Sequence, residues 1–173
     1  MSVLFTTRLE LVPITLPLVE AVMAHNRVAA ESIVEARFPE AWPGRALIER
    51  AFTSSLEDIR ANPARRLWGD RVMVLRASER CVVGSVIFHG GPDEEGTVEV
   101  GYGVESASQG KGYATEAVTS AVDWAIEQPH VNRVVARAFA WHTPSLRVLA
   151  KVGMKQVGTS EHEMLGEMLV FER

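Results

Sequence analysis

The sequence predicts a mixed α/β fold in which helices flank a mostly antiparallel sheet. In the middle of the chain, three strand-like runs follow one another and are separated by turn residues, which is typical of an antiparallel meander. The next segment, Gly110 to Ile126, carries apolar residues at helical spacing and predicts a long helix with one buried face. The 173 residues contain no internal repeat and no linker, so we expect one domain spanning residues 1–173.

The N-terminal third of the chain predicts one strand followed by helices. Leu9 to Ile14 alternates weakly between apolar and polar residues and predicts the first strand. Leu16 to Pro63 lacks strand signals, and its prolines and glycine predict a turn at Phe38 to Gly44. We expect two or three helices here, with apolar positions at Leu18, Val19, Val22 and Met23, and at Ala46, Leu47, Ala51 and Leu56.

The remaining elements complete a sheet of about seven strands. The meander strands are predicted at Val72 to Arg76, Val82 to His89 and Thr97 to Val104. After the long helix we expect a strand at Arg133 to Phe139, a short helix at Pro144 to Val152 and two last strands from Met154. The short helix is predicted to have an N-cap, a first residue and a C-cap at Thr143, Pro144 and Gly153.

Composition indicates a globular protein outside the membrane. Apolar residues make up 47% of the chain and charged residues 23%. No stretch reaches the roughly 18 apolar residues that a membrane helix needs. Met1 to Leu11 does not resemble a signal peptide, so we expect a cytoplasmic protein. The single cysteine, Cys81, precedes two valines and is predicted to be buried and unreactive.

The net charge of −4 argues against a general nucleic-acid binder. Its distribution is uneven, because Gly90 to Glu127 holds eight acids against the single base Lys111. Gln128 to Ser160 has no acid and holds five bases: Arg133, Arg137, Arg147, Lys151 and Lys155. Two interpretations remain open, an ordinary solvated surface or an anionic ligand bound beside a cationic one.

The segment from Gln109 to Ala114 has features of a phosphate-binding loop. Glycines at 110 and 112 let backbone N–H groups turn toward a ligand, and the following helix N-terminus adds positive potential. The P-loop pattern fails because Gly112 stands where Ser or Thr is required, and the dinucleotide pattern fails because Thr115 replaces its third glycine. Alone, the segment fits either a phosphate site or a glycine-rich turn that starts a helix.

The same loop resembles the Gln/Arg-x-x-Gly-x-Gly/Ala signature of the GNAT superfamily of N-acetyltransferases, since it reads Gln109-Gly110-Lys111-Gly112-Tyr113-Ala114. Three further segments resemble a branch of that superfamily, RimJ/RimL-like, that includes enzymes acetylating ribosomal-protein N-termini: Thr7 to Leu11, Val98 to Tyr102 and Thr143 to Met154. The resemblance spans essentially the whole chain. It implies an acetyl-CoA-dependent N-acetyltransferase without metal, with coenzyme A wedged between the fourth and fifth strands of a splayed sheet.

The resemblance also implies where the coenzyme binds. The pantetheine would hydrogen-bond to the backbone of Tyr102 and Val104, and the pyrophosphate would sit on the loop. Cationic side chains should offset the roughly four negative charges of coenzyme A. His142 replaces the family's usual Asn, and it either hydrogen-bonds to the cofactor arm or is a solvated loop residue. The implied cofactor-binding residues are Tyr102, Val104, Gln109, Gly110, Lys111, Gly112, Tyr113, Ala114, Thr115, His142, Arg147 and Lys151.

Two side chains are candidates for the chemistry of amine acetylation. Strand alternation puts Glu99 on one face with Gly101 and Gly103, so Glu99 is a candidate base, directly or through water, or else a surface carboxylate. The resemblance implies that Ser145 protonates the departing sulfur, and helix capping is the alternative use of its hydroxyl. Tyr113 could also donate, although packing is the more ordinary role for an aromatic residue there.

The acceptor is less clearly indicated. Four aromatic residues either line an acceptor cleft or belong to the core: Phe38, Trp42, Phe52 and Trp68. At pH 7 about a tenth of an α-amino group is neutral, against well under a thousandth of a lysine, so a protein N-terminus or small α-amine is the easier nucleophile. A coenzyme-binding module without catalysis is the rival hypothesis. A nucleotide-binding switch is disfavoured by the failed P-loop pattern, and a homodimer is left open.

Overall fold

The computed structural model describes residues 1–40 and 55–173. Within these residues lie eight strands: β1 (Leu4–Phe5), β2 (Leu9–Pro13), β3 (Arg71–Leu75), β4 (Val82–Phe88), β5 (Thr97–Val104), β6 (Arg133–Phe139), β7 (Lys155–His162) and β8 (Gly166–Glu172). The α-helices of the same residues are α1 (Leu16–Met23), α2 (Arg27–Val34), α3 (Leu56–Ala61), α4 (Pro63–Arg66), α5 (Tyr113–Ile126) and α6 (Thr143–Val152).

The strands form one sheet in the order β1-β2-β3-β4-β5-β6-β8-β7. Every neighbouring pair is antiparallel except β5 and β6, which run parallel. Their pairing is short, since only Thr97–Glu99 of β5 contacts 133–135 of β6. Beyond Glu99 the two strands part, so that the C-terminal half of β5 is paired with β4 alone. The sheet is therefore splayed at its centre.

Helices cover the two faces of the sheet unequally. On one face, α5 and α6 pack on apolar residues of both halves of the sheet, and the buried stripe of α5 consists of Ala117, Val118, Ala121, Val122 and Ala125. On the other face, α1, α2 and α3 pack on the N-terminal strands through Leu18, Val34 and Ile59. Both cores include strand residues of the meander, so the same strands hold both layers of helices in place.

Most of the predicted elements are confirmed to within a residue or two. The sheet has eight strands and not seven, because the two-residue β1 is too short to show any periodicity. Helix α5 begins at Tyr113 and not Gly110, since Gly112 adopts a left-handed conformation that ends the loop. The predicted helical residues Ala46, Leu47 and Ala51 lie outside the described residues.

Two details of the sequence analysis were wrong. Thr143 is not the N-cap of α6 but its first helical residue, because His142 has the non-helical backbone and its carbonyl accepts the N–H of Ser145 at 3.0 Å. Cys81 is half-buried where full burial was predicted. Burial still raises the pKa of its thiol, which fits the expected low reactivity.

In the part of the chain that the structure describes, no helix is both long enough and apolar enough to cross a membrane.

Close packing of β4 against β5 generates a prediction at Gly84. A Cβ on Gly84 would lie 2.2 Å from the carbonyl oxygen of Gly103 and 3.0 Å from Cα of Val104, both of them backbone atoms. Gly84→Ala should therefore force the strands apart and lower the free energy of unfolding by about 1–3 kcal/mol, measured by urea denaturation. Gly158→Ala is the control, because nothing lies within 4 Å of its Cβ position. Equal stability of the two variants would contradict this packing.

Candidate active site

A cleft of about 710 Å³ opens where β5 and β6 part. It is bounded by the end of β5, by the loop that leads into α5, and by the N-terminal turns of α6. The residues that line it are Tyr102, Gly103, Val104, Glu105, Ser106, Ser108, Gln109, Gly110, Gly112, Tyr113, Ala114, Thr115, His142, Pro144, Ser145, Arg147, Val148 and Lys151. The structure thus brings together all of the predicted cofactor-binding residues except Lys111.

The end of β5 presents backbone groups to this cleft. The N–H of His89 donates to the carbonyl of Glu99, and the N–H of Glu105 donates to the carbonyl of Val83. In an antiparallel ladder successive residues direct their N–H and C=O groups to opposite sides, so residues 99, 101, 103 and 105 face β4. Tyr102 and Val104 consequently direct their backbone groups toward the gap that β6 has left.

The loop before α5 has the conformation expected of an anion site. Gly110 and Gly112 have φ values of +74° and +84°, which residues other than glycine rarely adopt. The first intrahelical bond of α5 runs from the N–H of Glu116 to the carbonyl of Gly112, at 3.1 Å. The N–H groups that precede it have no partner within the helix, and this is the arrangement that binds phosphates at helix N-termini.

The side chain of Gln109 ties the start of the loop to β5. Its Nε2 donates to the carbonyl of Val104 at 3.0 Å, which links the start of the loop to the last residue of β5. Thr115, in the first turn of α5, also lines the cleft. Lys111 is exposed and contributes no lining, so its predicted contact with the coenzyme stays a prediction.

Helix α6 forms the wall opposite β5. The hydroxyl of Tyr102 donates to the backbone carbonyl of Ser145 at 3.2 Å, which bridges the gap between the two elements. Arg147 and Lys151 lie four residues apart and therefore on one side of α6, where both line the cleft. Within the described residues, the Oγ of Ser145 makes no hydrogen bond, so it does not cap α6.

His142 lies at the mouth of the cleft, immediately before α6. It is half-buried, and its ring packs edge-on against Trp141 with centroids 5.7 Å apart. Trp141 in turn stacks on Phe139 with nearly parallel rings. His142 is therefore packed on one side and partly exposed, and its hydrogen bond to the coenzyme remains a prediction.

Glu99 lies apart from the residues that line the cleft. Its carboxylate pairs with the guanidinium of Arg137, and His89 Nδ1 lies 3.7 Å from its Oε1. Glu99 is also the last residue of β5 to pair with β6, so it stands where the two strands begin to part. The side chain is 22% exposed. One side of the Glu99 carboxylate is therefore occupied by an arginine.

The uneven distribution of charge along the chain has a structural explanation in part. Two bases of the basic stretch pair with acids of the acidic stretch, Arg133 with Glu95 and Arg137 with Glu99, because parallel pairing of β5 and β6 brings those stretches together. A ligand is therefore not needed to explain these two arginines. Arg147 and Lys151 are the bases of the stretch that line the cleft.

Two further residues near the loop were not singled out in the sequence. Glu105 lines the cleft, and burial raises the pKa of its carboxyl. The second is Arg8, whose side chain reaches the loop from the turn before β2. No sequence pattern predicts that these two residues lie near the loop, because only the fold brings the end of β5 and the turn before β2 to it.

Four aromatic residues were predicted either to line an acceptor cleft or to belong to the core, and two of them can be described. Phe38 is 3% exposed and belongs to the core under α1 and α2. Trp68 packs edge-on against Phe88 and also contacts Trp124, each with centroids 5.1 Å apart. Trp42 and Phe52 lie outside the described residues.

Comparison with known proteins identifies the family of the chain. Residues 8–155 match the family model described as an acetyltransferase (GNAT) domain. A curated relative is the uncharacterized N-acetyltransferase YjdG of Bacillus subtilis (strain 168), which is 29% identical over 88% of this chain and 89% of its own length.

Solved structures show the same fold. The GNAT-family acetyltransferase of Bacillus anthracis has a TM-score of 0.63 at 20% identity, covering 99% of this chain and 98% of its own. RimL, a ribosomal L7/L12 alpha-N-protein acetyltransferase solved with coenzyme A, has a TM-score of 0.64 at 14% identity, covering 99% and 97%.

The splayed sheet and its cleft therefore define an acyltransferase fold. The chain belongs to the GNAT family of acetyltransferases, whose members use acetyl-CoA as co-substrate and an amine as acceptor.

The left-handed glycine at the start of α5 generates a second prediction. Gly112→Val should abolish acetyl-CoA binding in isothermal titration calorimetry, because the new side chain strains the backbone at φ +84° and crowds the loop. Gly153→Val is the matched control, since Gly153 has nearly the same φ, +82°, and does not line the cleft. We expect it to lower the melting temperature but not the affinity. Wild-type affinity in folded Gly112→Val would remove the loop from the coenzyme site.

Proposed function

We propose that this chain is an acetyl-CoA-dependent N-acetyltransferase that acts as one domain and acetylates an α-amine by direct attack on the thioester. The observation that carries the proposal is the cleft between β5 and α6, which combines strand backbone, a left-handed glycine loop, a helix N-terminus and two cationic side chains. These groups match the two halves of coenzyme A, an amide-containing arm and a phosphorylated nucleotide.

In this proposal the pantetheine arm hydrogen-bonds to β5 as a further strand would. Tyr102 and Val104 direct their backbone N–H and C=O groups into the gap, so the amides of the arm can hydrogen-bond to them as a neighbouring strand would. The pyrophosphate binds the loop at the start of α5, where peptide N–H groups and the helix dipole favour negative charge. Arg147 and Lys151 supply cations on the opposite wall.

Ser145 is the proposed proton donor to sulfur. The amine nitrogen forms a bond to the thioester carbonyl carbon, the carbon–sulfur bond breaks, and the sulfur leaves with the proton of the serine hydroxyl, which takes a proton from solvent in turn. Ser145 lines the cleft, and the bond from Tyr102 to its carbonyl fixes the turn of α6 that carries the hydroxyl. Within the described residues the Oγ of Ser145 makes no capping hydrogen bond, which supports the role of proton donor over that of helix cap.

Glu99 is the proposed base that takes the proton of the attacking amine, through water. It is the carboxylate at the point where β5 and β6 separate, on the sheet face opposite α5. Arg137 and His89 lie against the carboxylate and hold it in place. A water chain from the cleft to Glu99 reconciles this position with proton transfer.

An α-amine is the acceptor favoured by acid–base chemistry. With a pKa of about 8, an α-amino group offers far more neutral nucleophile near pH 7 than a lysine does. RimL, the structural neighbour solved with coenzyme A, is named for α-amino acetylation of a ribosomal protein. At its low identity this likeness concerns the fold, so the preference for an α-amine rests on the pKa argument.

A thiol-release assay tests the function. The protein is incubated with acetyl-CoA and, in turn, N-terminal peptides, free α-amines, polyamines and lysine peptides with blocked N-termini. The proposal expects coenzyme thiol to appear only when an acceptor is present, and fastest with α-amines. Tight coenzyme binding without turnover on any acceptor would identify a binding module. Preferential turnover of blocked lysine peptides or polyamines would contradict the α-amine assignment.

Glu99→Gln should lower turnover mainly at low pH and move the pH–rate profile toward higher pH, because the base matters most when the amine is protonated. The expected loss at the acidic end is about 100-fold or more. Glu105→Gln is the matched control: it removes the carboxyl that lines the cleft near the phosphate loop and should leave the profile in place. A wild-type profile for Glu99→Gln would make Glu99 a structural partner of Arg137.

Ser145→Ala should reduce the turnover number without weakening coenzyme binding. The loss should be partial, because a thiolate with a pKa of about 8.5 can leave slowly without a proton donor. Thr143→Ala is the control, since this hydroxyl lies in the same turn of α6 and does not line the cleft. Turnover, calorimetric affinity and melting temperature are measured on both variants. Unchanged turnover with a lower melting temperature for Ser145→Ala would leave this residue a structural role alone.

A further inference from the structure

We infer that Arg8 is a positioning residue for coenzyme binding, which fixes the phosphate loop from outside the cleft. This inference rests on the proposed function. Arg8 lies in the turn before β2, more than a hundred residues from the loop, and it does not itself line the cleft. Its side chain nevertheless contacts Lys111, Tyr113 and Glu116, which belong to the loop and the first turn of α5.

The first part of the contact is a forked ion pair with Glu116. The Nε and Nη2 atoms of Arg8 each lie 2.7 Å from Oε2 of Glu116. The other carboxylate oxygen accepts the backbone N–H of Arg8 at 2.7 Å and the hydroxyl of Thr6 at 2.6 Å. All these bonds join the turn before β2 to the first turn of α5, so the helix N-terminus is held at a fixed place on the sheet.

The third nitrogen of the guanidinium, Nη1, donates to the carbonyl of Lys111 at 2.8 Å. In a trans peptide the C=O and the N–H point in opposite directions. Holding the Lys111 carbonyl toward Arg8 therefore turns the N–H of Gly112 away from it, and Gly112 is a residue that lines the cleft. Arg8 thus sets the orientation of the peptide whose N–H the phosphate site would use.

The same contact offsets an unfavourable charge. Glu116 lies in the first turn of α5, where its carboxylate would repel a bound pyrophosphate. Burial raises the pKa of Glu116, but the hydrogen bonds from Thr6 and Arg8 outweigh it and bring the pKa below its ordinary value. The carboxylate is therefore ionised at neutral pH, and Arg8 is the cation that pairs with it.

Lysine could not replace Arg8 in this position. The guanidinium presents three nitrogens in a plane, and here they reach a carboxylate and a peptide carbonyl at once. Its carbon also lies 4.8 Å from the ring centroid of Tyr113, so the planar group covers the first aromatic residue of α5. A lysine ammonium would retain the charge while losing the fork and most of this coverage.

The test compares acetyl-CoA with acetyl-pantetheine, a thioester that lacks the pyrophosphate and nucleotide. Arg8→Ala should raise the KM for acetyl-CoA about tenfold, with kcat at saturation unchanged, because an oriented N–H to a charged group is worth about that factor. The kcat/KM for acetyl-pantetheine should stay at the wild-type value, which also shows that the variant is folded. Arg8→Lys should raise the KM for acetyl-CoA by a similar factor. This second variant carries the test if Arg8→Ala does not fold.

Two controls separate positioning from charge and from general stability. Arg76→Ala removes a nearby arginine that hydrogen-bonds to the carbonyl of Thr6 and has no contact with the loop, so its KM should match the wild type. The double variant Arg8→Ala, Glu116→Gln removes the uncompensated carboxylate, and positioning predicts that the KM stays high.

Three results would overturn the inference while leaving the proposed function intact. These are an unchanged KM for acetyl-CoA in Arg8→Ala, an equal loss with both thioesters, and full recovery in the double variant. By contrast, a wild-type protein that turns over neither thioester with any amine would remove the proposed function itself.

Discussion

The separation of β5 from β6 is the constraint on which the rest of the site depends. Parallel pairing ends at Glu99, and β6 then continues in partnership with β8 while β5 stays with β4. A sheet interior normally satisfies its backbone groups with a neighbouring strand. Here the C-terminal half of β5 faces a cleft, and a ligand with amide groups can take the place of the missing strand.

Packing and hydrogen bonds fix the extent of this separation. Residues of both strands, including Val98, Val100, Val134 and Ala136, are buried in the same core under α5, so the strands cannot move apart freely at their paired end. At the open end, Tyr102 is tied to α6 by its hydroxyl, and Gln109 ties the loop back to β5. The cleft is thus bounded by hydrogen bonds between elements that are themselves fixed by packing.

Electrostatic balance explains how a chain of net charge −4 can present a site for an anion. Three carboxylates of the acidic stretch each pair with an arginine: Glu99 with Arg137, Glu116 with Arg8, and Glu95 with Arg133. Glu105 lacks such a partner among the described residues, and burial raises its pKa instead. The cations on α6, Arg147 and Lys151, and the N-terminus of α5 contribute positive potential to the cleft.

The sequence by itself determined the elements, the family and most residues of the cleft. Helix α5 and the meander were predictable because helical and strand periodicity are local properties, and Gly110 and Gly112 marked the loop because only glycine readily adopts its φ values. Only the tertiary structure decided which distant residues they contact. The pairing of Glu99 with Arg137, the place of Glu105 and the reach of Arg8 to Lys111 join positions distant in the chain, and such contacts leave no periodic signal because they arise from strand order and loop placement.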